Sequence, residues 1–303
     1  ILILLEDQNW IFSLFEHFQV WFILIGVGLL CLVPFMQKHR WVVAVMTTFA
    51  VVFFFFKTLV YWEPLFYGKA TGRHDEDTVE VFYANVNSQN KRKSKLISYL
   101  RRDMPHLVIL IEINQSWVQE LKSLESIYPH SKLIVQEGNF GLGVLSQTAM
   151  KVERVFVDRE NLIPALILKV KTLIGEVNVA ALHAFPPLGD YGTLMRNQYL
   201  SSLSHQLRDF DRPLLVCGDF NTTPWSASFQ AFLKTSGLKL SAIHPAPQTW
   251  PAVPFVPKIP LDHCLSGGLN MINYEVGQDI GSDHLPLLLK IAFGKRGPAE
   301  VGE

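Results

Sequence analysis

"LLVCGDFNTTPWS", residues 214–226, is the stretch on which the reading of this chain turns. Leu214–Cys217 is an unbroken apolar run of the kind carried by a strand buried on both faces, and Gly218 interrupts it. Asp219 and Asn221 follow at once, and Pro224 turns the chain away. A carboxylate and an amide thus stand at the C-terminal end of a core strand, where open α/β sheets gather their ligand-binding groups.

The same pattern recurs outward from this stretch. Apolar or alternating segments "VEVFYANV" (79–86), "HLVILIEI" (106–113), "GLGVLS" (141–146), "PALILKV" (164–170), "GEVNVAALHA" (175–184), "PLLVCGD" (213–219), "LDHCLSG" (261–267) and "PLLLKIAF" (286–293) read as strands. "KRKSKLISYLRRD" (91–103), "SWVQELKSLESIY" (116–128), "TLMRNQYLSSLSHQLRDF" (193–210) and "SASFQAFLKTSG" (226–237) carry helical apolar stripes. Strands and helices mixed in this order predict a layered α/β or α+β domain.

Several of these strands end in, or run beside, polar groups: Asn85 and Asn87, Glu112, His183, Asp219 and Asn221, Asp262 and His263, then Asp283 and His284. Singly, such residues cap turns. Glu112 is harder to explain that way, because a carboxylate inside an apolar strand needs a partner or a metal. Together they make one chemical set. A hard cation such as Mg²⁺, with Mn²⁺ as an alternative, takes oxygen ligands, and Glu112, Asp283 and the Asn85 amide can supply them. Asp219 can orient or deprotonate a water, and Asn221 can hold that water or a phosphoryl oxygen. His284 backed by Asp262 is a carboxylate–imidazole pair that fixes a tautomer and stabilises developing charge. His183 is a further donor, and Arg196, on its helix, can neutralise phosphate beside Asn85.

"ANVN", "LIE", "LHAFPP", "GDFN", "LDH" and "GSDHLPL", in that order over roughly Val79–Phe293, resemble the endonuclease/exonuclease/phosphatase superfamily. The resemblance implies a DNase I-like four-layer α/β sandwich of two packed mixed β-sheets flanked by helices. It also implies Mg²⁺-dependent phosphoester hydrolysis by in-line attack of water. Family roles carry to Asn85, Glu112, His183, Asp219, Asn221, Asp262, Asp283 and His284. Pro105–His106, Leu110–Ile111–Glu112 and Leu145–Ser146–Gln147 depart from the commoner "PD", "LQE" and "LSR".

Ahead of this domain lie two apolar runs, residues 20–36 without a charge and residues 41–62 with only Lys57. Each is long enough to cross a hydrocarbon core that needs about 20 helical residues. Trp21, Trp41, Tyr61 and Trp62 stand near their ends as interfacial anchors do. Two transmembrane helices are therefore expected to precede the sandwich. Lys38 and Arg40 in the connecting "QKHR" favour the cytoplasm for that turn, which leaves the later domain extracytoplasmic. The expected divisions are an N-terminal segment 1–19, spans 20–62, a linker 63–77, the catalytic domain 78–294 and a tail 295–303. A chain opening on Ile1 is expected to lack its native start, with Ile1–Leu5 either the stump of an earlier span or an interfacial segment.

Spans followed by "GDFNTTPWS" are similar to the YafD/VanJ-like group of bacterial membrane proteins, which implies a multi-pass inner-membrane enzyme acting on a phosphodiester or a lipid (pyro)phosphate. Lys+Arg and Asp+Glu are both 27, a balance without the excess of basic charge typical of a nucleic-acid-binding domain. Against this, "NKRKSK" (90–95) with Arg101 and Arg102 is locally basic. A surface nuclease therefore stays as the alternative, and a non-catalytic binding module as the second. The expected partners are the bilayer and a phosphorylated substrate, lipid-linked or nucleic acid. Cys31, Cys217 and Cys264 show no metal or disulfide spacing and read as small buried hydrophobes.

Overall fold

The computed structural model of the chain describes residues 10–59, 78–157, 163–240 and 246–293. Ile1–Leu5, the end of the second apolar run at 60–62, the linker 63–77 and the tail 295–303 lie outside the described residues.

Three helices come first: α1 (Trp10–His17), α2 (Gln19–Leu32) and α3 (Arg40–Leu59). Among the described residues no helix is long and apolar enough to cross a membrane. This corrects the expectation of two spanning helices. α2 has 14 residues, about 21 Å at 1.5 Å per residue. A 3₁₀ turn at Val33–Phe35, with Pro34 in it, ends that arm early. α3 opens on Arg40 and carries Lys57 near its end. The two arms nevertheless form a hairpin with apolar side chains turned outward, among them Phe35, Trp41, Val45, Met46 and Phe49.

The remainder is a sandwich. One sheet is built from β1 (Val79–Asn85), β2 (Leu107–Ile111), β3 (His130–Ile134), β4 (Leu142–Ser146), β11 (Leu269–Val276) and β12 (Leu287–Phe293), in the order β11-β12-β1-β2-β4-β3. The other is built from β5 (Met150–Val157), β6 (Pro164–Thr172), β7 (Gly175–His183), β8 (Leu214–Asp219), β9 (Lys239–Leu240) and β10 (Asp262–Gly267), in the order β5-β6-β7-β8-β10-β9. Both are mixed: β1–β2 and β7–β8 are parallel, while β1–β12 and β8–β10 are antiparallel.

Period-two alternation divides the apolar residues between three cores. Val79, Val81 and Tyr83 of β1 meet Val177, Val179 and Ala181 of β7 and Leu215 and Cys217 of β8 between the sheets. Phe82 and Ala84 face the other way, onto α4 (Ser94–Asp103) and α5 (Gln115–Leu121). Ala180, Leu182, Leu214 and Val216 pack under α6 (Gly189–Arg208) and α7 (Ala227–Ser236). The result is the helix–sheet–sheet–helix layering expected for the domain.

Cys217 and Cys264, directly opposite each other on β8 and β10, form a disulfide in the buried inter-sheet core. This corrects their reading as separate small hydrophobes. The pairing joins residues 47 apart in sequence, so spacing held no sign of it.

Candidate active site

Alternation builds the site. In β1 the inner-face positions run Val79, Val81, Tyr83 and then Asn85; in β7 they run Val177, Val179, Ala181 and then His183; in β8, Leu215, Cys217 and then Asp219. At one rim of the sandwich the stripe that elsewhere seals the two sheets turns polar. β10 runs antiparallel to β8 with Asp262 directly opposite Asp219. β12 runs antiparallel to β1, so Asp283 and His284, just ahead of it, arrive at the same rim. Gly218 lets β7 and β8 approach there, since a Cβ would collide with the Leu182 carbonyl.

The side chains interlock. His284 Nδ1 donates to Asp262 Oδ2 at 2.7 Å, and the Tyr83 hydroxyl donates to Asp262 Oδ1 at 2.7 Å. His284 Nε2 and His183 Nε2 each lie 3.7 Å from Asp219 Oδ2. The Asn221 backbone N–H donates to Asp219 Oδ1 at 2.8 Å. Its side-chain amide donates to the Ala184 carbonyl at 2.9 Å and points at His183 Nε2 from 3.5 Å. His183 Nδ1 donates to the Asn139 carbonyl at 2.6 Å, which turns Nε2 toward the site.

The segment 85–88 joins the remaining two acids. Asn85 Nδ2 donates to Glu112 Oε1 at 2.9 Å and reaches toward Asp219 Oδ2 at 3.4 Å. The Ser88 N–H donates to Glu112 Oε2 at 3.0 Å, and Asn87 Nδ2 donates to Asp283 Oδ1 at 2.7 Å. Asn87, Glu112 and Asn221 all adopt left-handed backbone, with φ of 55°, 66° and 49°. Asparagine tolerates that region, whereas at Glu112 it is a local strain of the kind that clusters at functional sites.

Charge is distributed unevenly. Burial, then the Asp262 charge, pushes Asp219 up to about 6, against the pull of His284 and His183. Burial also works against the charge on Asp262, but the His284 charge and hydrogen bond outweigh it and hold Asp262 below the usual carboxylate value. His284 is desolvated as well, yet Asp262 and Asp219 raise it to about 10, so it is a cation between two carboxylates. Burial and the Asp262 charge push the Tyr83 phenol well up, which keeps it a neutral donor.

Asp219, Asp262 and His284 bring ligand-type atoms within 4.8 Å of one another. The expected metal ligands Glu112 and Asn85 lie beside this group, and Asp283, the exposed member, is held through Asn87. The donors gathered here are mainly carboxylates, with one imidazole and no cysteine, while Asn85 turns its amide nitrogen toward Glu112 and Asp219; the carboxylate oxygens suit a hard divalent cation.

Arg196, expected at a phosphate, is 2% exposed and turned toward the N-terminal helix. Its Nη2 donates to Ser13 Oγ at 3.0 Å and to Asn197 Oδ1 at 2.9 Å, and its Nε donates to Asn197 Oδ1 at 3.0 Å. Its Nη1 donates to the Asn221 carbonyl at 3.2 Å and faces His17 Nε2 at 3.4 Å. His17 Nδ1 in turn meets Thr223 Oγ1 at 3.2 Å, and the Trp225 indole donates to the Glu16 carbonyl at 2.8 Å. Sequence reasoning missed Tyr83 and Asn139 as supports. Tyr83 was visible as the residue next inward from Asn85 on the same face; Asn139 acts through its carbonyl, which any residue could offer.

An α/β sandwich with carboxylates, imidazoles and amides at one rim defines a class, and comparison with known proteins gives it a family. Residues 82–284 match the Endonuclease/Exonuclease/phosphatase family, and the chain belongs to it. The UPF0294 protein of Vibrio cholerae serotype O1 is 38% identical over 104 residues, 33% of this chain and 35% of that protein. The match thus spans about a third of that curated relative's length. An endonuclease/exonuclease/phosphatase structure from Beutenbergia cavernae superposes with TM-score 0.59 at 17% identity, over 72% of each chain. D. rerio TDP2 complexed with a single-strand DNA product superposes with TM-score 0.57 at 17% identity, over 71% of this chain and 98% of that one. The human Nocturnin catalytic domain with bound sulfate gives 0.56 at 19% identity, over 72% and 95%. At these identities the structures share the fold.

Proposed function

We propose that this chain is a membrane-anchored, Mg²⁺-dependent phosphoester hydrolase that directs water onto a phosphodiester or a lipid (pyro)phosphate. The observation that carries the reading is Asp219, set between His183 and His284 at 3.7 Å each, with Asn221 bonded to it. Asp219 orients the attacking water and takes its proton, and the Asn221 amide holds that water or a phosphoryl oxygen in line. His284, kept charged by Asp262, donates to the phosphoryl oxygen on which charge develops. His183 presents its Nε2 to the same space. Glu112, Asn85 and Asp283 would hold the cation, which when bound neutralises phosphate charge.

The outward apolar side chains of α2 and α3 support anchoring, because a surface of that extent in water calls for a cover. We place the catalytic domain on the extracytoplasmic side of a bacterial inner membrane. The Cys217–Cys264 disulfide supports this, because such bonds persist in oxidising compartments.

The test compares Asp219→Ala and His284→Ala with the parent on bis-p-nitrophenyl phosphate, polyprenyl pyrophosphate and plasmid DNA, each with Mg²⁺. Loss of turnover in both variants is expected; turnover retained by both rejects the assigned roles. The nuclease reading is favoured by the exposed Lys91, Arg92 and Lys95 beside the 85–90 loop, and plasmid nicking as the preferred activity would establish it.

A further inference from the structure

Residues 250–258, "WPAVPFVPK", form a loop that the catalytic set does not use. Its neck is closed by paired backbone bonds between Trp250 and Ile259, and Lys258 Nζ donates to the Val253 carbonyl at 3.1 Å. Its tip, Val253–Pro257, is exposed throughout, with Phe255 fully so and left-handed at φ 64°. A closed loop whose uncharged tip spends an unfavourable backbone conformation on presenting Phe and two Val to the outside is unusual for a surface facing water. Pro254 and Pro257 carry no N–H, so fewer donors would be stranded in an apolar medium.

Two connections say what covers the tip. The Trp21 indole, at the start of the outward-apolar α2, donates to the Lys258 carbonyl at 3.0 Å. The loop base therefore sits at the level where that helix begins, with Trp21 and the Lys258 ammonium placed as headgroup-level anchors are. The loop is also strapped to the site: the Ala252 N–H donates to the Asp283 carbonyl at 2.7 Å, and the Leu285 N–H donates to the Thr249 carbonyl at 2.9 Å. Beyond His183, the chain exposes a second apolar set at Leu188, Tyr191 and Leu194.

We propose that the loop tip Val253–Pro257 inserts into the bilayer leaflet that holds α2 and α3, and thereby seats the Asp283–His284 rim on a phosphate at headgroup depth. The site then takes its substrate from the membrane surface and not from bulk water. This rests on the membrane-anchored reading of the chain, and the test separates the two.

The full chain, with Cys31→Ser, is placed in phosphatidylethanolamine/phosphatidylglycerol nanodiscs with doxyl-labelled acyl chains. A fluorophore is attached in turn at Phe255→Cys, at Phe49→Cys on α3 and at Lys151→Cys on β5. Quenching at 255 and 49 but not at 151 is expected. Quenching at 49 without 255 overturns the insertion and leaves the anchoring intact; quenching at neither overturns both. In addition, Phe255→Asp is expected to lower the ratio of nanodisc-lipid to bis-p-nitrophenyl phosphate turnover by about tenfold or more, the scale of one lost aromatic burial. An unchanged ratio overturns the proposed role. The quenching pattern stands whatever the enzyme hydrolyses.

Discussion

Asp262 and His284 meet at 2.7 Å with the carboxylate wholly buried and its second oxygen bonded to Tyr83. Two donors on one carboxylate leave the imidazole a single orientation, Nε2 toward Asp219. Asp262→Asn keeps the shape but removes the charge that keeps His284 protonated. We expect kcat to fall by roughly 10²-fold or more with KM little changed, in steady-state assays on bis-p-nitrophenyl phosphate. Tyr83→Phe, which removes one bond to Asp262, should fall between parent and Asp262→Asn. Equal activity of Asp262→Asn and parent would remove the pair from the mechanism.

Arg196 joins α1 to the loop that carries Asn221, and His17 is buried with it. Replacing Arg196 by Met strands Ser13, Asn197 and the Asn221 carbonyl, at a cost of about 1–3 kcal/mol for buried groups left without a donor or acceptor. Urea unfolding measures that loss. Because the Asn221 carbonyl is among the stranded groups, turnover should fall as well, and a stability loss without any change in kcat would show that the helix does not brace the loop.

Burial, with the Arg196 charge, holds the His17 imidazole down at about 3 from its ordinary 6.5. Burial likewise lowers His263 to about 4. Below pH 6.5 the unfolded chain binds protons that the folded chain refuses, so both groups make stability fall as pH drops toward 4. Asp219, raised to about 6, slopes the opposite way between 6 and its ordinary 3.8. The His17 share is therefore read as a difference: His17→Gln should flatten the acid limb of thermal midpoint against pH. Parallel curves for parent and variant would contradict a neutral buried His17.

Cys217 and Cys264 sit two residues from Asp219 and Asp262 on paired strands. Joint replacement by Ala should lower stability by about 2–4 kcal/mol in denaturant unfolding. Thiol titration of the unfolded, non-reduced parent should find Cys31 alone; three titratable thiols would mean that the pair is not bonded.

The strands read from sequence and the strands missed differ by position in the sheets. The eight inner strands, β1, β2, β4, β6, β7, β8, β10 and β12, were legible because each is covered on both faces and so carries an apolar run. The four missed, β3, β5, β9 and β11, are the four edges. β5, "MKVERVFV", is exposed along most of its length, and β11, "LNMINYEV", mixes amides into its alternation. An edge strand is specified by its neighbour and its solvent-facing polarity, which resemble a loop in a single sequence. The site was legible for the same reason that the inner strands were: Asn85, His183 and Asp219 break apolar stripes. Arg196 was not, because a basic residue on an amphipathic helix looks the same whether it meets a phosphate or another helix. The cysteine pair was invisible because it is made by register between β8 and β10.

Phe220 stands between Asp219 and Asn221 and points away from both, into a ring cluster with Phe229, Phe232 and His263 beneath α7. The apolar letter of "GDFN" is thus a rivet driven through the second sheet into the helix layer behind it. Its polar neighbours cannot swing outward without pulling that aromatic plug from a closely packed socket. The loop is preformed, and under the proposed function an incoming phosphate would meet groups already aimed, its binding energy going to the reacting centre and not to shaping the loop.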